Sequence, residues 1–107
     1  MLSPAWISRP DEVNAKVAEW AEAYPQTLLA ESRAQFAGYP VWALTVTDRS
    51  LDDAAKRKAI ILKPHAHEPA PIAAQMNVIN QLLTGETLDG QATPLDRDRI
   101  LRECLLV

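Results

Sequence analysis

The sequence predicts an α/β fold in which helices cover a sheet, and three observations lead to that prediction. Apolar residues recur at helical spacing near the N-terminus and again in residues 71–83. Between these two segments lie three short stretches with the apolar or alternating pattern of strands. Strands that alternate with helices along one chain are typical of a sheet with helical cover. For a chain of 107 residues we expect one domain, 1–107, with a modest core.

The first helix is predicted between Ser8 and Tyr24. Ser8 begins a capping-box pattern that ends at Asp11, and a proline lies near the first turn. Pro25 ends the helix because the residue before a proline avoids the helical conformation. The apolar stripe of this helix consists of Val13, Val17, Trp20 and Tyr24.

A hairpin of two strands is predicted next, over residues 27–33 and 41–47. The first strand is short and moderately apolar, and the second alternates between apolar faces. Gly38 and Pro40 between them are turn signals. The residues on one face of the second strand are Trp42, Leu44 and Val46. Such alternation is typical of a half-buried strand.

The third strand is predicted at residues 58–63, after a charged connection over residues 48–57. It is apolar without alternation, as expected of a strand that is covered on both sides. The loop 65–68 joins it to a second helix, which we place at about residues 71–83. Gly85 follows that helix and is predicted to end it.

The remaining residues are predicted to form a polar loop (84–93), a short charged helix (95–101) and a buried strand (104–107). Cys104 is the only cysteine of the sequence, which excludes an intrachain disulfide, and we expect it to be a buried, inert thiol. Three tryptophans are predicted to be core or interface residues rather than a ligand site: Trp6, Trp20 and Trp42.

Composition argues against two classes of partner. The net charge is −3, and the eleven basic side chains are scattered, so nothing favours nucleic acid. The apolar stretches are too short to span a membrane, so we expect no membrane association. The N-terminal residues lack the basic and apolar regions of a signal peptide, and we therefore expect a cytoplasmic protein.

His65 and Glu68 form an H-x-x-E pair directly after the third predicted strand. An imidazole and a carboxylate on one loop can turn toward one ion, and zinc takes these ligands at roughly 2.0–2.2 Å. The carboxyl ends of strands in α/β sheets are where ligands bind, and Pro64 and Pro69 stiffen the loop. The alternative is a pair of surface side chains, with the charge of Glu68 suited to a helix start. Such short motifs arise readily by chance, so the spacing alone does not decide.

Three motifs occur here in the order in which one enzyme family has them. They are Tyr24-Pro25 at the end of the first helix, Gly38-Tyr39-Pro40 in the hairpin turn, and His65-Ala66-His67-Glu68 after the third strand. With them, the chain resembles the N-terminal part of a zinc metallocarboxypeptidase of the carboxypeptidase A type. The turn lacks the acidic and arginine positions of that family's E-G-R-P sequence. The resemblance implies a truncated zinc-carboxypeptidase-like fold, which is a partial α/β/α sandwich with a mixed sheet.

By this resemblance, His65 and Glu68 are two of the three protein ligands of a Zn²⁺ ion. His67 stands where the family has an arginine that contacts substrate. We take His67 as a replaced pocket residue, with a surface position and a third ligand as the alternatives. In the family, the third ligand and the general base follow far downstream, so no catalytic residue is assigned here. The full-length enzyme would hydrolyse a peptide or amide substrate with zinc-activated water, and the 107-residue chain alone is predicted to be inactive.

Two alternatives to a metallocarboxypeptidase fragment remain open. The chain could be a non-catalytic module that binds a metal or an interaction partner, or part of a zinc amidohydrolase or deacylase of the same superfamily. An incomplete sheet leaves an exposed strand edge, and such an edge promotes self-association. Aggregation or dimerisation would favour the fragment, and a stable monomer would favour the finished module.

Overall fold

A computed structural model describes residues 6–62 and 68–107. Within them the chain is a small α/β domain with a mixed four-stranded sheet and three α-helices, so the predicted class is confirmed. The elements are α1 (Pro10–Ala23), β1 (Leu28–Phe36), β2 (Tyr39–Val46), a single 3-10 turn (Asp53–Ala55), β3 (Arg57–Ala59), α2 (Pro69–Thr84), α3 (Arg97–Glu103) and β4 (Cys104–Leu106).

The start of α1 lies one residue later than the capping-box pattern predicted. Arg9 is the N-cap residue, and its backbone N–H donates to Glu12 Oε1 at 3.2 Å. This bond satisfies one backbone donor at the helix start. The helix ends before Pro25, as predicted, and the N–H of Tyr24 still donates to Trp20 O at 2.8 Å.

The predicted hairpin is present, and it is longer than the sequence indicated. β1 pairs antiparallel with β2 from Leu28 opposite Val46 to Phe36 opposite Tyr39. The turn consists of Ala37 and Gly38, whose φ angles are 51° and 82°. Two left-handed residues in a two-residue loop match the right-handed twist of the strands, which is why glycine is favoured there.

The strand order in the sheet is β1-β2-β4-β3. β4 lies antiparallel to β2 and parallel to β3, with Ala59 opposite Leu106. The prediction that the third strand is covered on both sides is wrong, because β3 is an edge strand with one neighbour among the described strands. Its three residues are exposed, and Ile60 and Leu62 beyond it are 72% and 76% exposed.

The core lies on one face of the sheet. The strand residues in it are Leu28, Ala30, Trp42, Leu44, Val46 and Leu106, which share one side of the pleat. All three helices contribute to the same cluster, including Trp20 of α1 and Leu101 of α3, so the described helices form one layer. The second helical layer of an α/β/α sandwich is not among the described residues.

Several predictions of burial need adjustment. Trp20 is buried and Trp42 packs against the core, but Trp6 is 37% exposed. β4 is half-buried rather than buried, and Cys104 on it is a half-buried free thiol. No helix in the described ranges is long and apolar enough to cross a membrane.

Candidate metal site

Glu68 is the N-cap residue of α2, with φ −109° and ψ 95°, and it is exposed. Pro69 follows as the first helical residue, a position where its fixed φ suits the helix and its missing N–H costs nothing. The helix therefore begins two residues before the predicted start at Pro71. A carboxylate at this end of a helix is stabilised by the helix dipole.

The predicted partner, His65, lies outside the described residues, as do Pro64 and His67. The convergence of the His65 imidazole and the Glu68 carboxylate therefore stays a prediction. The chain itself limits their separation, because three residues of fully extended backbone span at most about 11 Å. Two long side chains at that spacing can contact one ion.

The topology shows at which end of the sheet the chain leaves β3. β3 and β4 are parallel, so their carboxyl ends meet at the same edge of the sheet. Pairing continues past β3, since Val107 N–H donates to Ala59 O at 2.9 Å and Ile61 N–H donates to Val107 O at 2.7 Å. The segment from Leu62 to Glu68 thus leaves from the carboxyl edge of two adjacent parallel strands, which is where α/β sheets bind ligands.

Gln75 of α2 was not singled out from the sequence, yet its side chain contacts the chain where this segment begins. Its Nε2 donates to Leu62 O at 3.4 Å, which links the helix to the chain just beyond β3. Together with Pro69, this contact positions the start of α2. A polar residue on an amphipathic helix gives no local signal for such a role, because the contact depends on where the helix packs.

The two proposed ligands, His65 and Glu68, are of types that bind zinc, but a complete site needs more than two. An imidazole nitrogen and a carboxylate oxygen are zinc ligands, and a catalytic site needs three protein ligands and one open position. The described ranges, 6–62 and 68–107, contain no group of three or more His, Cys, Asp or Glu side chains placed to hold a metal. Neither Glu86 nor Glu103 forms such a group with Glu68. Glu86 is exposed, and Glu103 accepts a hydrogen bond from Arg99 Nε at 3.1 Å.

Two open depressions lie at the opposite end of the sheet, where β2 ends and β3 begins. Their volumes are about 460 and 530 Å³, and Arg102 borders both. Asp48 lines the first, where the hydroxyl and N–H of Ser50 donate to its carboxylate at 2.6 and 2.9 Å. These bonds hold the pKa of Asp48 below its ordinary value, so its carboxylate is charged at neutral pH. Neither depression includes Glu68.

Comparison with known proteins adds no neighbour to this description: no family model, curated protein or solved structure matches the chain. The candidate site is thus defined by the residues and topology of this chain. Its described part is Glu68 at the start of α2, the first described residue after Leu62.

Proposed function

We propose that this chain is the N-terminal part of the catalytic domain of a zinc metallocarboxypeptidase, in which His65 and Glu68 bind Zn²⁺. The observation that carries the proposal is the position of Glu68. It begins α2 directly after the segment that leaves the carboxyl edge of β3 and β4. The carboxyl edge of a sheet is a common ligand position in α/β folds.

His65 and Glu68 of this chain would bind the ion and fix its position. When bound, zinc polarises a substrate carbonyl and makes a bound water nucleophilic at neutral pH. Glu68 would supply a carboxylate oxygen from the start of α2. The prolines on both sides of the loop, at positions 64 and 69, lower the entropy lost when the loop is ordered. The third ligand and the general base would come from further residues of the catalytic domain.

The uncovered parts of the sheet support a larger domain. β3 is an edge strand, and Ile60, Ile61 and Leu62 beyond it are 72%, 54% and 76% exposed. Proteins rarely leave a long apolar edge unprotected. A further strand along β3, and helices on the second face of the sheet, would cover these groups in the complete enzyme.

The same exposed edge favours one alternative, a non-catalytic interaction module. A zinc amidohydrolase or deacylase of the same superfamily is also consistent with the His65 and Glu68 pair. It would differ in its amide substrate. In the complete protein, both hydrolases would need the ion for turnover and only the peptidase would act on peptides with a free carboxyl terminus. A non-catalytic module that binds a metal or a partner would give no turnover.

Zinc affinity tests the ligand pair. We expect the chain to bind Zn²⁺ weakly, because the ligand set is incomplete. Glu68→Gln and His65→Ala should each weaken binding at least about tenfold, since each removes one donor. Glu86→Gln is the matched control, because Glu86 is also exposed and lies outside the site. Competition with a chromophoric chelator measures the affinities.

Equal affinity in all three variants would mean that zinc binds elsewhere and would overturn the assigned ligands. Hydrolysis of an N-terminally blocked dipeptide, measured with and without added zinc, tests the reaction. The chain alone should give no turnover. A measurable zinc-dependent rate that Glu68→Gln abolishes would show that the third ligand is dispensable.

A further inference from the structure

The ammonium group of Lys56 is surrounded by oxygen atoms of the connection between β2 and β3. Its Nζ lies 2.6 Å from Asp48 O, 2.8 Å from Asp53 Oδ1 and 3.4 Å from Leu51 O. The side chain is only 3% exposed. An ammonium has three N–H donors and no acceptor, so these three oxygen atoms match its donors in number.

Hydrogen bonds that do not involve the ammonium hold these oxygen atoms in place. Asp48 N–H donates to Leu101 O at 2.8 Å, and Leu51 N–H donates to Asp48 O at 3.3 Å. The carboxylate of Asp48 accepts from the N–H and the hydroxyl of Ser50. Asp53 begins the 3-10 turn. The acceptors are therefore positioned by the backbone of the connection, and such preorganisation favours binding.

Lys16 of α1 shows that an ion pair alone does not produce this arrangement. It pairs with Glu19 at 3.1 Å over the same i,i+3 spacing that separates Asp53 from Lys56. The Lys16 side chain is 23% exposed, and the hydrogen bonds described for its ammonium are to the Glu19 carboxylate. The two backbone carbonyls and the near-complete burial are what distinguish Lys56.

We propose that the connection over residues 48–56 contains a binding site for a primary ammonium group, and that Lys56 supplies this group from the chain itself. The ammonium site consists of Asp48 O, Leu51 O and Asp53 Oδ1. It binds the same group from a free primary amine when the lysine side chain is shortened. The inference does not rest on the proposed metal site, because it uses none of that site's residues.

The number and type of the acceptors select a primary ammonium over other cations. Ca²⁺ and Mg²⁺ take about six or more oxygen ligands, whereas this site offers two carbonyls and one carboxylate. A quaternary ammonium carries the same charge as Lys56 but has no N–H to donate. Only a primary ammonium presents three N–H donors to the three oxygen atoms.

The ammonium site links the end of one strand to the start of another. Asp48 lies two residues after the end of β2, and Lys56 directly precedes β3. The bond from Lys56 Nζ to Asp48 O therefore closes the connection and fixes where β3 begins. The N–H of Asp48 bonds to Leu101 O, so the same residue also joins this connection to α3.

Chemical rescue of Lys56→Ala tests the proposal. This change removes three carbons and the nitrogen, which together correspond to propylammonium. Lys56 and Leu51 line the depression of about 530 Å³, which gives a small amine access to the site. The variant should unfold at a lower urea concentration than the parent. Propylammonium chloride at about 0.1 M should recover at least about a third of that loss.

Tetramethylammonium chloride at the same concentration is the control for charge and ionic strength, and it should give no such recovery. Lys56→Met is the control for the site, because methionine fills the space without donating; it should lose stability and not respond to propylammonium. Lys16→Ala is the control for a lysine in an ordinary ion pair, and the two salts should affect it equally. If Lys56→Ala is unfolded in buffer, propylammonium should restore its folded circular dichroism spectrum and tetramethylammonium should not.

Nuclear magnetic resonance of the ¹⁵N-labelled parent tests the site without any substitution. The protons of the Lys56 ammonium should exchange with water at least about tenfold more slowly than those of Lys16, because they are buried and hydrogen-bonded.

Equal responses of Lys56→Ala to propylammonium and tetramethylammonium would overturn the proposal. Recovery of Lys56→Met by propylammonium would also overturn it, because the amine would then act elsewhere. So would a Lys56 ammonium that exchanges as fast as that of Lys16. Zinc is absent from all these measurements, so their failure leaves the proposed ligand pair unaffected, and failure of zinc binding leaves the ammonium site unaffected.

Discussion

Among individual residues, Asn80 of α2 forms buried hydrogen bonds both to α1 and to the chain that follows α2. Its Oδ1 accepts from Trp20 Nε1 of α1 at 3.1 Å, and its Nδ2 donates to Glu86 O at 3.0 Å. The side chain is buried, so each bond replaces water that the group has lost. The sequence pattern places Asn80 on a helix but does not indicate burial. The partner Trp20 is 60 residues away.

Asn80→Asp should destabilise the protein by about 2–4 kcal/mol, because it buries a carboxylate and removes the bond from Nδ2 to Glu86 O. Urea unfolding measures the loss. Gln26→Glu makes the same change from amide to carboxylate at an exposed side chain and should cost less than about 0.5 kcal/mol. Equal losses in the two variants would contradict the role of Asn80.

The connection between β2 and β3 shows a second effect at the residue scale. Its charged composition suggested a solvated segment, but the Lys56 side chain is only 3% exposed. The ammonium donates to Asp48 O at 2.6 Å and to Asp53 Oδ1 at 2.8 Å. Both acceptors belong to the same connection between β2 and β3. The two bonds offset the free-energy cost of burying the charged ammonium. Burial of this lysine follows from the path of the backbone, which no local pattern encodes.

At the scale of elements, the end of α2 follows from a single glycine. Gly85 has a φ of 82°, and its N–H donates to Gln81 O at 2.9 Å. This is the left-handed helix end that the sequence predicted at this residue. Arg97 of α3 completes it, because its guanidinium donates to Leu82 O and Leu83 O at 3.1 and 3.0 Å.

Gly85→Ala should lower the free energy of unfolding by about 1 kcal/mol, because alanine is strained in the left-handed region. An added Cβ would meet the Arg97 side chain at 3.6 Å, an ordinary contact, so the backbone is the main cause. Gly85→Asn should cost less, since asparagine tolerates this conformation. Thermal unfolding compares the three chains. An alanine variant as stable as the parent would contradict this explanation.

At the scale of the whole molecule, the strands of the sheet differ in how extensively they are paired and buried. The β1 and β2 hairpin is paired from Leu28 and Val46 to Phe36 and Tyr39, apart from one bulge in β1, and it is backed by α1. β3 is paired with β4 over three residues and is exposed. Elements with few buried contacts open at lower free energy than the core. The β3 edge is therefore expected to open at lower free energy than the hairpin.

Amide exchange in dilute solution should show this difference. The Ile61 amide should exchange at least about tenfold faster than the Trp20 amide, because Trp20 lies within α1 and is 1% exposed. Similar protection at both amides would mean that β3 opens only when the whole domain unfolds. In that case the domain would behave as one cooperative unit.

Local patterns were enough to predict α1, the hairpin with Gly38 at its turn, α2 and the glycine at its end. Each depends on hydrophobic spacing or on a backbone angle, which neighbouring residues specify. The H-x-x-E pair of His65 and Glu68 was found in the same way, and the convergence of these two side chains stays a prediction.

Packing between distant parts of the chain determined features of the fold that no short stretch of sequence encodes. It placed β3 at the edge of the sheet, so that Ile60 and Leu62 are exposed although their apolar run predicted burial. It also put the described helices on one face and brought Trp20 to Asn80. The physical reason is that burial depends on which strands and helices become neighbours, and residues distant along the chain determine that choice.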